Sequence, residues 1–145
     1  VDRGYGTDNL LLLLGYCHEK GLGTPLDVRK AVSIYERNNG SDALKNVFRG
    51  AVDDFSIPAR LAILYYTDPA VKSFDKAFPY LKFMGELNTQ VMSQVRGYLL
   101  RCLSACYRFG RGTAVDLDKA DYYLRQAAET GNMEAAEALS ALAPR

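Results

Sequence analysis

A pattern of glycine, aspartate and alanine occurs twice in this chain, 89 residues apart (110 minus 21). In each copy two glycines follow residues with helical apolar spacing, and an aspartate and a Lys-Ala pair come after them. Glycine adopts the left-handed conformation that ends a helix at little cost, and aspartate is a good N-cap. The pattern therefore predicts a repeated helical hairpin. The aligned structural positions are Gly21, Gly23, Asp27, Lys30 and Ala31 in the first copy and Gly110, Gly112, Asp116, Lys119 and Ala120 in the second.

A degenerate copy of the pattern lies between these two. Ala59–Tyr66 has the spacing of a first helix, and Asp75-Lys76-Ala77 repeats the Lys-Ala pair, but the turn between them has no glycine. By length we expect 145 residues to form a single domain. Its predicted parts are repeat 1 at about residues 8–39, a helical insertion at 40–56, a degenerate repeat 2 at about 57–88, repeat 3 at about 95–130, and a capping or truncated helix at 132–143.

The order Gly-x-Gly, Asp, Lys-Ala, an aromatic residue, Ala-Ala and Gly-Asn, as found from Gly110 to Asn132, resembles the Sel1-like repeat, a relative of the tetratricopeptide repeat. The resemblance covers most of the chain outside residues 40–56 and 86–97. It implies an all-α fold, an α/α solenoid of about three helix-turn-helix repeats wound into a tetratricopeptide-like superhelix. It also implies a module that binds other proteins and has no chemistry of its own.

Two details of the helices stay open at the level of sequence. Ser73 or Asp75 can cap the second helix of repeat 2, but Pro79 follows closely and requires either a later start or a kink. The segment from Thr89 to Phe109 is long for one helix of a repeat, and Gly97 is a candidate point of division.

Composition narrows the class of function. The 18 basic and 17 acidic residues nearly cancel, so the broad positive field that nucleic acid requires is absent. The longest aliphatic run is Leu10–Leu14, far below the roughly 20 residues that span a bilayer. We therefore expect neither nucleic-acid binding nor membrane insertion. Because Val1 opens the chain and the last repeat is incomplete, we also expect a piece of a longer protein.

The sequence pattern indicates no catalytic, cofactor or metal site. His18 is the only histidine, and the three cysteines are too few for a four-ligand zinc site and are expected to be free thiols, which leaves the compartment open. The Gly-x-Gly pairs follow helices and lack the Gly-Lys-Ser/Thr of a phosphate-binding loop. Acidic residues at helix starts are explained by capping and the helix dipole. We expect no enzyme, no cofactor and no metal.

The surface that the repeat does not account for is rich in tyrosine and arginine. Tyr98, Arg101 and Arg108 lie at spacings of three and seven residues, on one stripe of a helix. The stripe is either an ordinary solvated face or a partner-binding patch. If the first helix of each pair lines the concave side, as the resemblance implies, Arg60 joins the candidate partner-binding residues.

Two functions follow as hypotheses. The first is a non-enzymatic scaffold or adaptor that binds a peptide or a partner domain on its concave face. The second is a structural spacer or an oligomerisation segment inside a larger protein, which would show self-association and capture no partner.

Overall fold

The computed structural model describes residues 13–37, 57–86 and 94–142. Every regular element in these ranges is an α-helix. The helices are α1 at residues 13–20, α2 at Val28–Arg37, α3 at Ile57–Thr67, α4 at Phe74–Glu86, α5 at Gln94–Phe109, α6 at Leu117–Glu129 and α7 at Met133–Leu142. They fall into two compact units, Val1–Lys72 and Ser73–Arg145, and this boundary lies inside the predicted repeat 2. The predicted insertion at residues 40–56 lies outside the described residues, and the division into repeats stays a prediction.

In the first unit, α2 packs against α3. The buried face of α2 has helical spacing, with Ala31 and Tyr35 fully buried, while Arg29 and Lys30 are exposed. On α3 the whole segment of residues 57–62 is buried, so this helix is enclosed on more than one side. It ends at Thr67, two residues before Pro69, because a residue before proline avoids the α conformation.

In the second unit, α4 begins directly after Ser73, whose hydroxyl accepts a hydrogen bond from the Lys76 amide at 3.3 Å. Pro79 therefore lies inside the helix, and the later start that proline suggested is wrong. The helix is stabilised by one buried face, formed by Ala77, Leu81 and Met84, whereas Pro79 itself is exposed. Burial of a helical stripe outweighs the backbone bond that proline removes.

The remaining helices pack in chain order, α4 on α5, α5 on α6 and α6 on α7. Their shared core contains Leu100 of α5, Leu124 and Ala127 of α6, and Ala135 of α7. Gly97 does not divide α5. It is buried within the helix, and a Cβ there would overlap the Thr130 side chain, so this glycine lets the turn before α7 lie directly on α5.

The two glycine turns have the same backbone structure. Gly21 and Gly23 have φ of 70° each, and Gly110 and Gly112 have φ of 71° and 75°. Each turn is closed by the same pair of backbone hydrogen bonds, Leu22 N to Cys17 O (2.9 Å) and Asp27 N to His18 O (2.8 Å) in one, and Arg111 N to Cys106 O (2.9 Å) and Asp116 N to Tyr107 O (2.8 Å) in the other. The aspartates then cap α2 and α6, accepting from the Lys30 and Lys119 amides at 3.0 and 3.1 Å. The predicted hairpin turn is therefore found in both copies.

Candidate functional site

A cleft of about 350 Å³ in the second unit is lined by Tyr98 and Arg101 of α5 and by residues 130–134, which connect α6 to α7. Two of the four predicted partner-binding residues thus lie together. The lining combines an aromatic ring, a guanidinium, an amide, a carboxylate and the thioether of Met133, whose side chain is largely exposed. Such a mixture of rigid, polar and adaptable groups is typical of surfaces that recognise other proteins.

The position of the Arg101 guanidinium is set by its neighbours on two sides. Its central carbon lies 5.4 Å from the centroid of the Tyr98 ring, within the range of a cation–π contact. Its Nη1 lies 2.6 Å from Oε2 of Glu134 in the first turn of α7. Its Nε is buried and has no hydrogen-bond partner among the residues that the structure describes. The guanidinium therefore retains an unused donor next to the cleft.

The turn that forms the other wall is fixed by backbone and capping contacts. Gly131 has φ of 94°, in the left-handed region. Asn132 caps α7, since its Oδ1 accepts a hydrogen bond from the Ala135 amide at 2.8 Å. The Thr130 hydroxyl donates to the Ala127 carbonyl at 2.6 Å. With the close approach at Gly97, these contacts place Glu134 opposite Arg101.

Arg60 lies in a different environment from the one predicted. Its side chain is 9% exposed, its Nη2 pairs with Glu19 Oε2, and its Nε donates to Glu19 Oε1 at 3.1 Å. Tyr35 donates to the same Oε1 at 2.9 Å, and burial together with the Glu19 carboxylate raises the pKa of Tyr35. The expectation of an exposed groove arginine is corrected here, because a carboxylate 41 residues away in sequence holds Arg60 inside the first unit.

Arg108 does not line the cleft. Its Nη2 lies 2.6 Å from Oδ1 of Asp121, and the two side chains are 22% and 32% exposed. The pair joins α5 to α6. In the repeat register Arg108 aligns with Glu19, so the same helical position carries an ion-paired charge in both glycine-turn repeats.

The two thiols of α5, Cys102 and Cys106, are poor nucleophiles. Burial raises the pKa of Cys102 to about 11, against a smaller lowering by the Tyr98 hydrogen bond and by Arg101 and Arg111. Burial, and then the neighbouring Cys102, raise the pKa of Cys106 to about 12. Both groups therefore stay protonated at neutral pH, and the thiolate is the reactive form.

Alkylation should report this protonation state. Relative to a thiol with the ordinary pKa of 9.0, we expect iodoacetamide at pH 8 to react about 100-fold more slowly with Cys102 and about 1000-fold more slowly with Cys106 of the folded protein. Both rates should rise about tenfold per pH unit toward pH 11. Peptide mass spectrometry measures both rates. The same protein in urea is the control, where the two thiols should react at the ordinary rate; equal rates in the folded and unfolded protein would contradict the burial of these groups.

The sequence pattern assigns no place in this site to three of its residues. Glu134 belongs to the acidic residues at helix starts, Asn132 ends the Gly-Asn motif, and Gly97 is a candidate point of division of the helix. The Gly-Asn motif could have predicted that Asn132 caps the next helix, because asparagine is a favoured N-cap residue. The pairing of Glu134 with Arg101 had no local signal, because the two residues are far apart in sequence.

Among the residues that the structure describes, no group of three or more metal-ligating side chains comes together. In the same ranges, each helix is too short or too polar to cross a bilayer.

Comparison with known proteins identifies the repeats. The Sel1 repeat matches residues 11–37 and 103–132, the two glycine-turn copies. A Sel1 repeat protein from Oxalobacter formigenes has a similar structure, with a TM-score of 0.65 and 21% identity over 95% of this chain and 49% of the other. So does a protective antigen with an SLR fold that is present in uropathogenic Escherichia coli strains, with a TM-score of 0.68 and 21% identity over 93% of this chain and 25% of the antigen.

No curated protein sequence matches the chain significantly. This chain spans about half the length of the first structural neighbour and about a quarter of the second. The two structural neighbours establish the fold, and the family matches establish that Sel1 repeats form part of it. The predicted fold class is thereby confirmed: the chain contains two Sel1 repeats and has an all-α solenoid fold.

Proposed function

We propose that this chain is a non-enzymatic interaction module that binds a peptide or a partner domain through the cleft between α5 and the start of α7. Sel1 repeats generally mediate contacts between proteins. The observation that carries the proposal for this chain is the cleft itself, in which Tyr98 and Arg101 lie side by side opposite residues 130–134.

The chemistry of the lining supports a protein ligand. Tyrosine and arginine dominate the binding energy of many protein interfaces because they give large contact areas and several directed bonds. The ring of Tyr98 is already in contact with the guanidinium, so little side-chain freedom remains to be lost on binding. The protonated thiols of Cys102 and Cys106 favour a binding role over a nucleophilic one.

Partner capture tests this function. We expect the immobilised protein to retain a specific partner, and the variant with Tyr98→Ala and Arg101→Glu to lose at least 90% of it, about a tenfold loss of affinity, as is common for a central tyrosine and arginine. Quantitative mass spectrometry of the bound fraction measures the loss, and circular dichroism checks that the variant keeps its helices.

Arg108→Gln is the matched control, since Arg108 is on the same helix but outside the cleft. It should leave capture unchanged. If the variant with Tyr98→Ala and Arg101→Glu retains as much partner as the wild type, the cleft is not the binding site. Concentration-dependent self-association with no captured partner, measured by light scattering, would favour the spacer or oligomerisation segment instead.

A further inference from the structure

The guanidinium of Arg101, which lines the cleft, indicates what kind of group the cleft accepts. A guanidinium has five N–H donors in a planar fork that matches the two oxygens of a carboxylate. The ion pair with Glu134 joins a single nitrogen, Nη1, to a single oxygen, Oε2. A carboxylate that meets two donors of the fork makes a stronger contact than this single pair.

Glu134 is poorly placed to remain the permanent partner. Its side chain is 66% exposed, against 35% for Arg101. Ion pairs of such exposure contribute little because water and salt screen them. If the carboxylate swings away it stays solvated, and it still lies in the first turn of α7, where negative charge is favourable. Arg101, in contrast, is held against the Tyr98 ring.

From this asymmetry we infer that the cleft binds a carboxylate of a partner polypeptide, which takes the place of Glu134 on the Arg101 guanidinium. Glu134 is then an internal competitor that occupies Arg101 in the absence of a partner. The inference rests on the proposed protein-binding function and specifies its ligand chemistry.

The opposite assignment, a ligand cation bound by Glu134, fits the contacts less well. A cation would bond to the exposed carboxylate, but it would add a like charge beside the guanidinium, which stays in place against the Tyr98 ring. A ligand carboxylate avoids such a clash of like charges by displacing the exposed Glu134 carboxylate into water. The two assignments predict opposite effects of removing the charge at residue 134.

The test is a titration followed through the Nε–H resonance of Arg101 in nuclear magnetic resonance spectra. The probes are four capped tripeptides: Ac-Gly-Glu-Gly-NH2 carries only a side-chain carboxylate, Ac-Gly-Gln-Gly-OH only a terminal one, Ac-Gly-Gln-Gly-NH2 neither, and Ac-Gly-Lys-Gly-NH2 a cation. We expect at least one carboxylate probe to shift this resonance. Whichever does so identifies the source as an acidic side chain or a chain end.

Glu134→Gln should bind that probe about two- to fivefold more tightly, since it removes a competing exposed ion pair. Glu137→Gln, also exposed on α7 but outside the cleft, should leave affinity unchanged. Arg101→Lys, which keeps the charge and loses the fork, should weaken binding of the same probe, followed through backbone amides of residues 130–134.

Several results would overturn the inference: no shift with either carboxylate probe in the wild type and in Glu134→Gln, weaker binding in Glu134→Gln, or preferential binding of the lysine probe. The failure of the proposed function is distinguishable from these. If capture depends on Tyr98 and Arg101 but no carboxylate probe binds, the protein-binding function stands and the carboxylate inference falls. If carboxylate probes bind but capture ignores both residues, the carboxylate pocket is real and the proposed function falls.

Discussion

Replacing Glu19 by glutamine should lower the free energy of unfolding of the first unit by about 3 kcal/mol, because removing one partner of a buried ion pair leaves the other charge uncompensated. Glu19 and Arg60 have side chains 3% and 9% exposed, and Tyr35 bonds to the same carboxylate. Glutamine retains the size of the side chain but cannot neutralise Arg60. Urea unfolding followed by circular dichroism measures the loss, and hydrogen exchange of α2 amides assigns it to this unit.

Two variants check the cause. Lys20→Ala removes a cation 3.5 Å from the same carboxylate, but Lys20 is 46% exposed, so its loss should cost no more than about 0.5 kcal/mol. Replacing the whole network by apolar groups, with Glu19→Met, Arg60→Met and Tyr35→Phe together, should recover most of the stability lost in Glu19→Gln. Equal stability of Glu19→Gln and Lys20→Ala would show that the charge on Arg60 is solvated in the native state.

In the second unit, Gly112→Ala should destabilise by about 3 kcal/mol. Left-handed backbone costs a residue with a side chain roughly 1–2 kcal/mol. The additional cost is steric: a Cβ at Gly112, where φ is 75°, would overlap the main-chain carbonyl of Phe74 at the start of α4, so the turn must move away from that helix. Urea unfolding measures the change, and loss of exchange protection at the N-terminus of α4 locates it.

Gly23→Ala is the matched control. Gly23 occupies the equivalent position of the other turn with φ of 70°, but no described atom lies within 4 Å of a Cβ built there. It should show the conformational cost alone, about 1 kcal/mol. If the two substitutions have equal effects, the contact between the turn and α4 contributes nothing, and the left-handed backbone explains the glycine in full.

The hairpin turns could be predicted from the sequence because their determinants are local. The glycines at 21 and 110 and the capping aspartates at 27 and 116 act within a few residues, and the 89-residue offset revealed them twice. The hairpin pattern likewise predicted a helix after Asp116, and α6 buries Ala120, Leu124 and Ala127 on one face.

Contacts between distant segments could not be predicted in this way. A buried charge has the same local pattern as an exposed one, and it is the contact with the distant Glu19 that pairs Arg60 inside the first unit. Gly97 looks like a helix breaker until Thr130 is seen packed against it. For the cleft, spacing on α5 brought Tyr98 and Arg101 together, but the opposite wall depends on where α7 begins.

The matching hydrogen bonds of the two glycine turns have a consequence for how these repeats can diversify. Main-chain atoms and glycine torsions define the connector, so the turn itself does not fix which side chain stands between its two glycines. Leucine stands at position 22, half exposed, where arginine stands at position 111, with its guanidinium against Phe74 and Phe109 at 5.1 and 4.9 Å. The same turn thereby presents a hydrophobic side chain in one copy and a cationic side chain in the other. A substitution at this position can change the surface chemistry without changing the backbone conformation of the turn.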